Sequence, residues 1–135
     1  MRELKLLASD DTLHTLLDSL REYLGENGAS EENIVPVLIS AEEIFVNIAH
    51  YAYGGKAGEA YVGMDILSEP KRIRVVFKDG GAEYNPLEKE DPDITLSAEE
   101  RSIGGLGIFM TKNFMDNLVY EYKDGQNILT MEKNI

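Results

Sequence analysis

The feature that most constrains this chain is a stretch of about twenty residues, 34–53, in which almost every position is apolar. A helix of that composition is buried around most of its circumference. Pro36 is tolerated only near the start of a helix, so we expect this helix to begin between Ser30 and Asn33. A pair of glycines ends it at about Tyr53.

Four polar residues interrupt the apolar stretch at spacings of three, four and three: Ser40, Glu43, Asn47 and His50. That spacing places them on one line along one face of the helix. Such a line is either the solvent-facing edge of a core helix or part of a site. A solvent edge is normally broad and rich in lysine or glutamate, whereas this line is narrow and carries an amide. The pattern favours a site, with His50 as an ordinary polar residue at the helix end.

Glu43 and Asn47 stand one helical turn apart, which places a carboxylate and an amide oxygen side by side. Mg²⁺ accepts oxygen ligands, keeps several waters and typically takes one or two protein ligands together with phosphates. Asn47 can supply that one ligand. Glu43 is then free to accept a proton from an attacking hydroxyl or water, as a positioned general base does.

Two glycine clusters lie further along the chain. Asp79 ends a predicted strand and is followed by Gly80 and Gly81, which marks a turn or, alternatively, a place where a planar ligand approaches the backbone. In the second case Asp79 accepts a hydrogen bond from an exocyclic amine such as that of adenine, whereas guanine presents an acceptor there. The cluster at 104–107 either simply starts an apolar helix or exposes backbone N–H groups to phosphate.

The spacing of apolar residues predicts the other elements. They are a strand at 3–8, a helix from residue 9 or 10 to about 25, a hairpin at 61–67 and 72–77, a helix from 104 to about 116, and a hairpin at 118–122 and 128–132. Between residues 80 and 103 the apolar period disappears. A segment of that length in a compact domain is usually a lid or a binding loop.

Composition limits the class of function. A chain of 135 residues has the size of one domain, so we expect 1–135 to be a single domain. A formal net charge of −12 disfavours direct nucleic acid binding and membrane surfaces. With no cysteine and two histidines, a metal site must use oxygen ligands. No run approaches the ~18 uninterrupted apolar residues that span a bilayer, so we expect a cytoplasmic protein.

The order of these features resembles the GHKL ATPase superfamily, whose fold is shared by DNA gyrase and the catalytic domains of histidine kinases. Within it, the chain is similar to the stand-alone anti-sigma-factor serine-protein kinases over almost its whole length. Residues 43–47 resemble the family's asparagine box, residues 79–81 its first glycine box and residues 104–108 its second. Two positions depart from the family pattern: Glu83 stands where a further glycine is usual, and Tyr51 where relatives often have histidine.

The resemblance implies a role for each matched residue. Glu43 would be the general base, Asn47 would bind Mg²⁺, and Asp79 would hold adenine next to Gly81. The second glycine box would cradle the phosphates of ATP through Gly104, Gly105, Leu106 and Gly107. Thr130, on the last strand, would support the adenine-binding aspartate through water.

The fold implied by the resemblance is the Bergerat-type ATP-binding fold. It is a two-layer α+β sandwich in which a mixed, mostly antiparallel sheet is covered on one face by three helices. Nucleotide binds between the helices and an ATP lid, which falls at about residues 80–103 of this chain.

The implied function is that of an ATP-binding anti-sigma regulatory factor with serine-protein kinase activity. It would phosphorylate a small anti-sigma-factor antagonist protein with Mg²⁺ and ATP, and sequester a sigma factor to regulate transcription. The alternative is a non-catalytic module that senses ATP or ADP in the same pocket and sequesters a partner. Glu43 on the polar line favours the enzyme, because binding alone needs no base. The sequence leaves open whether the chain forms a homodimer.

Overall fold

The computed structural model describes residues 1–88 and 106–135, and in those ranges the chain forms three α-helices and five strands. The helices are α1 (Leu13–Glu26), α2 (Glu31–Asn47) and α3 (Leu106–Phe114). The strands are β1 (Arg2–Leu7), β2 (Glu59–Leu67), β3 (Arg72–Asp79), β4 (Asn117–Lys123) and β5 (Gln126–Asn134). Short helical turns lie at Asp10–Thr12 and Pro86–Glu88, and a π-helical turn follows α2 at Ile48–Ala52.

The strands form one sheet in the order β1-β2-β3-β5-β4. The four pairings among the described residues are all antiparallel. Both hairpins expected from the sequence are present, as β2–β3 and β4–β5. The α+β fold class is confirmed, with helices and sheet stacked as two layers around one core.

The core lies between the helices and one face of the sheet. In β3 every second side chain is buried, as expected when a strand packs one face against helices. The largest fully buried side chains on either side of this interface are Phe45 of α2 and Phe77 of β3. Burying an aromatic or large aliphatic side chain contributes about 1.5–3 kcal/mol, so this interface holds α2 at a fixed height over the strands.

Helix α2 is the central helix that the apolar stretch predicted. By length and composition alone, Glu31–Ala52 passes a test for a bilayer-spanning helix among the described residues. Its side chains at Val37, Ala41 and Phe45 are fully buried in the protein core. The helix also contacts both α1 and α3. We therefore interpret its apolar character as that of a core helix.

Helix α2 begins at Glu31, inside the predicted range, which places Pro36 at the sixth residue of the helix. Proline has no N–H to donate to the carbonyl four residues earlier, here that of Glu32. Glu32 is exposed, so water can replace the missing donor at this end of the helix. The chain therefore tolerates the proline in the second turn of the helix.

Glu132 is a nearly buried carboxylate on the sheet face away from the helices. Its Oε2 accepts a hydrogen bond from Nε of Arg74 at 2.6 Å, and its Oε1 lies 3.4 Å from Nε of Arg72. Burial alone would raise the pKa of Glu132, but the hydrogen bond and charge of Arg74, with help from Asn117 and Arg72, hold that pKa below its ordinary value. The interaction ties β5 to β3.

We expect Glu132→Gln to lower the free energy of unfolding by about 1.5 kcal/mol at pH 7, near the lower end for hydrogen bonds to charged groups, because both arginines stay partly solvated. The folded-state pKa is depressed, so this stabilisation is present above the unfolded-state pKa and is lost as pH falls through the folded-state pKa. Urea denaturation at pH 7 and at successive values below 4.5 measures the difference.

The matched control is Glu121→Gln. It removes an exposed carboxylate of β4 that lies on the same face of the sheet as Glu132. It should change the free energy of unfolding by less than about 0.5 kcal/mol at each pH. If the difference in free energy of unfolding between the wild type and Glu132→Gln stays constant below pH 4.5, the assigned ion pair is contradicted.

Candidate functional site

Asp79 is the last residue of β3, and the alternation of that strand turns its side chain toward the helices. The residue is 6% exposed. Its Oδ1 accepts two hydrogen bonds of 2.9 Å, from the backbone N–H of Gly81 and from Nδ2 of Asn127. Within residues 1–88 and 106–135, no hydrogen bond reaches its Oδ2. One oxygen of a nearly buried carboxylate is thus left for a further donor.

Asn127 lies directly opposite Asp79 in the register of β3 and β5, and it is 7% exposed. Its Nδ2 also donates to the carbonyl of Ala82 at 2.8 Å. Its Oδ1 accepts from the backbone N–H of Tyr84 at 3.0 Å and from the hydroxyl of Tyr120. Burial, reinforced by nearby negative charge, raises the pKa of Tyr120, so the hydroxyl keeps the proton that it donates.

The prediction that Thr130 supports Asp79 is wrong. Neighbouring residues of a strand point to opposite faces, so Thr130 faces away from the helices while Asn127 faces them. The residue opposite Asp79 in the register of β3 and β5 is Asn127. A signal for it was present in the sequence: it is a polar residue at the same alternation as the buried Leu129 and Met131.

Gly81 occupies a position with no room for a side chain. A β-carbon there would lie 2.1 Å from the carbonyl oxygen of Ala52 and 2.6 Å from its β-carbon. The same carbonyl accepts the N–H of Ala82 at 2.9 Å. Because Ala52 ends the π-helical turn after α2, the backbone that follows Asp79 packs directly on the end of the central helix.

Glu43 and Asn47 are hydrogen-bonded to each other on α2, as their spacing predicted. Nδ2 of Asn47 donates to the backbone carbonyl of Glu43 at 2.7 Å and to its Oε1 at 2.9 Å. Asn47 is 7% exposed. Both bonds use the nitrogen, so the amide oxygen is the atom that remains available to a ligand.

Gly107, near the start of α3, lies against the side chain of Glu43. A β-carbon at this glycine would lie 2.1 Å from both Cδ and Oε2 of Glu43. The carbonyl of Gly107 accepts the hydroxyl of Thr111 at 2.9 Å. The glycine therefore lets α3 approach α2 closely enough to enclose the carboxylate.

A cleft brings the two parts of the site together, with about 390 Å³ of space between atoms when the space open to solvent is counted. Asn47 of α2 and Asp79 of β3 both line it, and Glu43 stands one turn from Asn47 toward α3. The rest of the lining is mostly apolar or aromatic and comes from α2, the π-helical turn, β3, β4, β5 and the segment after Asp79: Ile44, Ile48, Ala52, Phe77, Ala82, Tyr84, Pro86, Tyr120, Asn127 and Leu129. An apolar cleft with a few convergent polar groups is typical of a small-molecule site.

Part of the second glycine box cannot be placed in this cleft. Gly104, Gly105 and most of the expected ATP lid lie outside the described residues, while Leu106 is the first residue of α3. Glu83, which departs from the family pattern, is exposed and lines a neighbouring depression that shares Tyr84 and Tyr120 with the cleft. Glu83 itself does not line the cleft, although its charge adds to burial in raising the pKa of Tyr120, which does line it.

The donor set fits Mg²⁺ held together with phosphate oxygens. In the described part of the chain, no group of three or more histidine, cysteine, aspartate or glutamate side chains is arranged to hold a metal ion. The free amide oxygen of Asn47 suits a hard cation that takes one protein ligand and completes its shell with water and phosphate.

Comparison with known proteins gives a match across nearly the whole chain. A family model described as the histidine kinase-like ATPase domain matches residues 6–133. The chain belongs to this family. Serine/threonine-protein kinase BtrW of Bordetella bronchiseptica is 27% identical over 93 residues, which are 69% of this chain and 65% of BtrW. Serine-protein kinase RsbW of Listeria monocytogenes is 28% identical over 116 residues, which are 82% of this chain and 73% of RsbW.

Two solved structures share the fold of this histidine kinase-like ATPase domain. A structure of the RsbU and RsbW domains of a Mycobacterium tuberculosis protein has a TM-score of 0.63 at 16% identity, covering 99% of this chain and 32% of that one. The histidine kinase domain of a blue-light activated histidine kinase from Erythrobacter litoralis has a TM-score of 0.57 at 13% identity, covering 90% of this chain and 60% of that one. Both confirm the fold expected from the sequence.

We expect Gly81→Ala to lower the free energy of unfolding of this domain by about 1–3 kcal/mol, because the new methyl group must displace the backbone of Ala52. Gly25→Ala is the matched control: it lies within α1, has no atom within 4 Å of its added methyl group, and should stabilise by up to about 1 kcal/mol. Urea denaturation shows whether the two changes in free energy of unfolding have opposite signs. Equal effects of the two changes would show that Gly81 is not tightly packed.

Proposed function

We propose that this chain is an ATP-binding anti-sigma regulatory factor that acts as a serine-protein kinase on a small anti-sigma-factor antagonist protein. The observation that carries the proposal is the single cleft lined by Asn47 and Asp79, with the Glu43 carboxylate hydrogen-bonded to Asn47 beside it. Membership of the histidine kinase-like ATPase family supports it. So do two relatives that are themselves serine-protein kinases, BtrW and RsbW.

Adenine is the base that the strand-end groups suit. Oδ1 of Asp79 is held by two donors, which leaves Oδ2 to accept the exocyclic amine of adenine. Guanine presents an oxygen at that place and would leave the carboxylate unpaired, at a cost of about 1–3 kcal/mol. The absence of a side chain at Gly81 keeps the adjacent backbone close to the end of α2.

The helix groups suit the phosphate end of the same ligand. The amide oxygen of Asn47 would hold Mg²⁺, and the glycine box 104–107 would cradle the phosphates. Bound Mg²⁺ neutralises charge on the transferring phosphoryl group. Glu43 accepts the proton of the attacking serine hydroxyl, and its carboxylate is held for that task by Asn47 on one side and by Gly107 on the other. Most of the catalysis by this chain is therefore positioning.

The remaining parts of the proposal concern partners and setting. We assign the substrate serine to an anti-sigma-factor antagonist and extend the role to control of a sigma factor, hence of transcription, in the cytoplasm. The formal net charge of −12 supports protein partners rather than direct contact with nucleic acid. A homodimer remains part of the proposal without a surface assigned to it.

We expect Glu43→Gln to reduce phosphoryl transfer at least about 100-fold, since a general base contributes 10²–10⁴-fold, while ATP binding persists. The measurement incubates the protein with Mg²⁺, γ-labelled ATP and purified antagonist proteins encoded near its gene, and counts label on their serine residues. Calorimetry with ATP checks binding in the same samples.

Glu42→Gln is the matched control, because it makes the same change at the exposed neighbouring residue of α2. It should keep full transfer. Equal rates of phosphoryl transfer for Glu43→Gln and the wild type would contradict the role of Glu43 as general base. Tight ATP binding by the wild type without transfer to any antagonist would instead support the module that only senses nucleotide.

A further inference from the structure

We propose that Asn127 is a positioning residue that couples recognition of adenine at Asp79 to the backbone of residues 82–84. The inference rests on the proposed function of the cleft as an adenine nucleotide site and extends it to a residue on another strand. Asn127 lies on β5, and its one side-chain amide is hydrogen-bonded both to Asp79 and to the backbone of residues 82–84.

The amide of Asn127 uses its full hydrogen-bonding capacity. Its two N–H groups donate to Asp79 Oδ1 and to the carbonyl of Ala82, and its oxygen accepts from the N–H of Tyr84 and from the hydroxyl of Tyr120. No other side chain supplies two donors and a doubly accepting oxygen in one equally short planar group. A hydroxyl side chain is too short to bridge these groups, and a carboxylate supplies no donor.

The donor side of the amide fixes the carboxylate of Asp79. With both Asn127 and Gly81 donating to Oδ1, rotation of the carboxylate is restricted. Asp79 lines the cleft, and its Oδ2 has no donor among the described residues. Without Nδ2, only the bond from Gly81 would remain. The carboxylate would then turn more freely, and the selective contact with an exocyclic amine would weaken.

The other half of the amide fixes the chain that follows Asp79. The carbonyl of Ala82 and the N–H of Tyr84 are both bound to Asn127, and Tyr84 itself lines the cleft, with its ring centre 6.1 Å from that of Tyr51. A nucleobase that holds the Asp79 carboxylate in place therefore also restrains the side chain of Asn127 and, through it, the N–H of Tyr84. Hydrogen bonds joined in this way strengthen one another in a poorly solvated setting.

A test in the wild-type protein uses inosine diphosphate, whose base carries an oxygen in place of the exocyclic amine of adenine. Amide hydrogen exchange is followed by NMR at Tyr84, with ADP or inosine diphosphate at a concentration that saturates the protein. The proposal predicts that ADP slows exchange at Tyr84 at least tenfold and inosine diphosphate less than threefold. Equal slowing by the two nucleotides would overturn it.

The variant Asn127→Leu tests the same coupling by replacing the amide with an apolar side chain of the same branched shape, which removes both donors without adding a charge beside Asp79. We expect the ratio of affinities for ADP and inosine diphosphate to fall at least fivefold, and the effect of ADP on Tyr84 exchange to drop below threefold. A residue that only packs the core would change the thermal midpoint and leave this ratio intact. An unchanged ratio would therefore refute the positioning role.

Asn134→Leu is the matched control, since it makes the same chemical change at the exposed end of the same strand. It should keep the wild-type ratio. If Asn127→Leu fails to fold, the comparison of the two nucleotides in the wild type decides alone. Failure of the wild type to bind ADP would remove the proposed function as well, whereas ADP binding with equal slowing at Tyr84 removes this inference only.

Discussion

Burial of α2 against the sheet sets the position of every group in the site. An apolar helix held between β-strands and two other helices has no freedom to turn a buried polar residue into solvent, and such a residue avoids the cost of burial when it finds a hydrogen-bond partner inside the protein. Asn47 does so by donating both of its short bonds to Glu43. The end of the same helix supplies the carbonyl of Ala52 on which the backbone after Asp79 rests. The cleft is the space left between these two anchored points.

The site divides into two polar clusters with different tasks. At the ends of β3 and β5, Asp79 and Asn127 form a buried pair that suits recognition of a base. Between α2 and α3, Glu43 and Asn47 lie against Gly107 and suit a cation and a proton transfer. The two clusters sit on rigid elements and share one cleft, which is the arrangement that preorganised chemistry requires.

Much of this was predictable from the sequence because it depends on local periodicity. The spacing of Glu43 and Asn47 predicted their contact, and the alternation of β3 would place Asp79 on the buried face whichever strand pairs with it. The hairpins follow from apolar runs joined by short turns. Such features need no knowledge of which distant elements meet.

What was missed depends on pairing between distant segments. The position opposite Asp79 is set by the register of β3 with β5, which are 48 residues apart at Asp79 and Asn127. Alternation along β5 separates Thr130 from the buried face of Leu129 and Met131, but it does not say which residue of that face stands opposite Asp79. The family resemblance implied Thr130, which lies on the other face. The contact of Gly107 with Glu43 likewise arises only when α3 packs on α2, and glycine begins many helices that make no such contact.

The central claim is that Asn47 and Asp79 hold opposite ends of one adenine nucleotide, and a crystal structure of the complex with ADP and Mg²⁺ tests it most directly. The account predicts the exocyclic amine of adenine within hydrogen-bonding distance of Asp79 Oδ2, and the cation about 2.1 Å from the amide oxygen of Asn47, the usual Mg²⁺–oxygen distance. A nucleotide bound outside the cleft, or one whose adenine amine points away from Asp79, would contradict it.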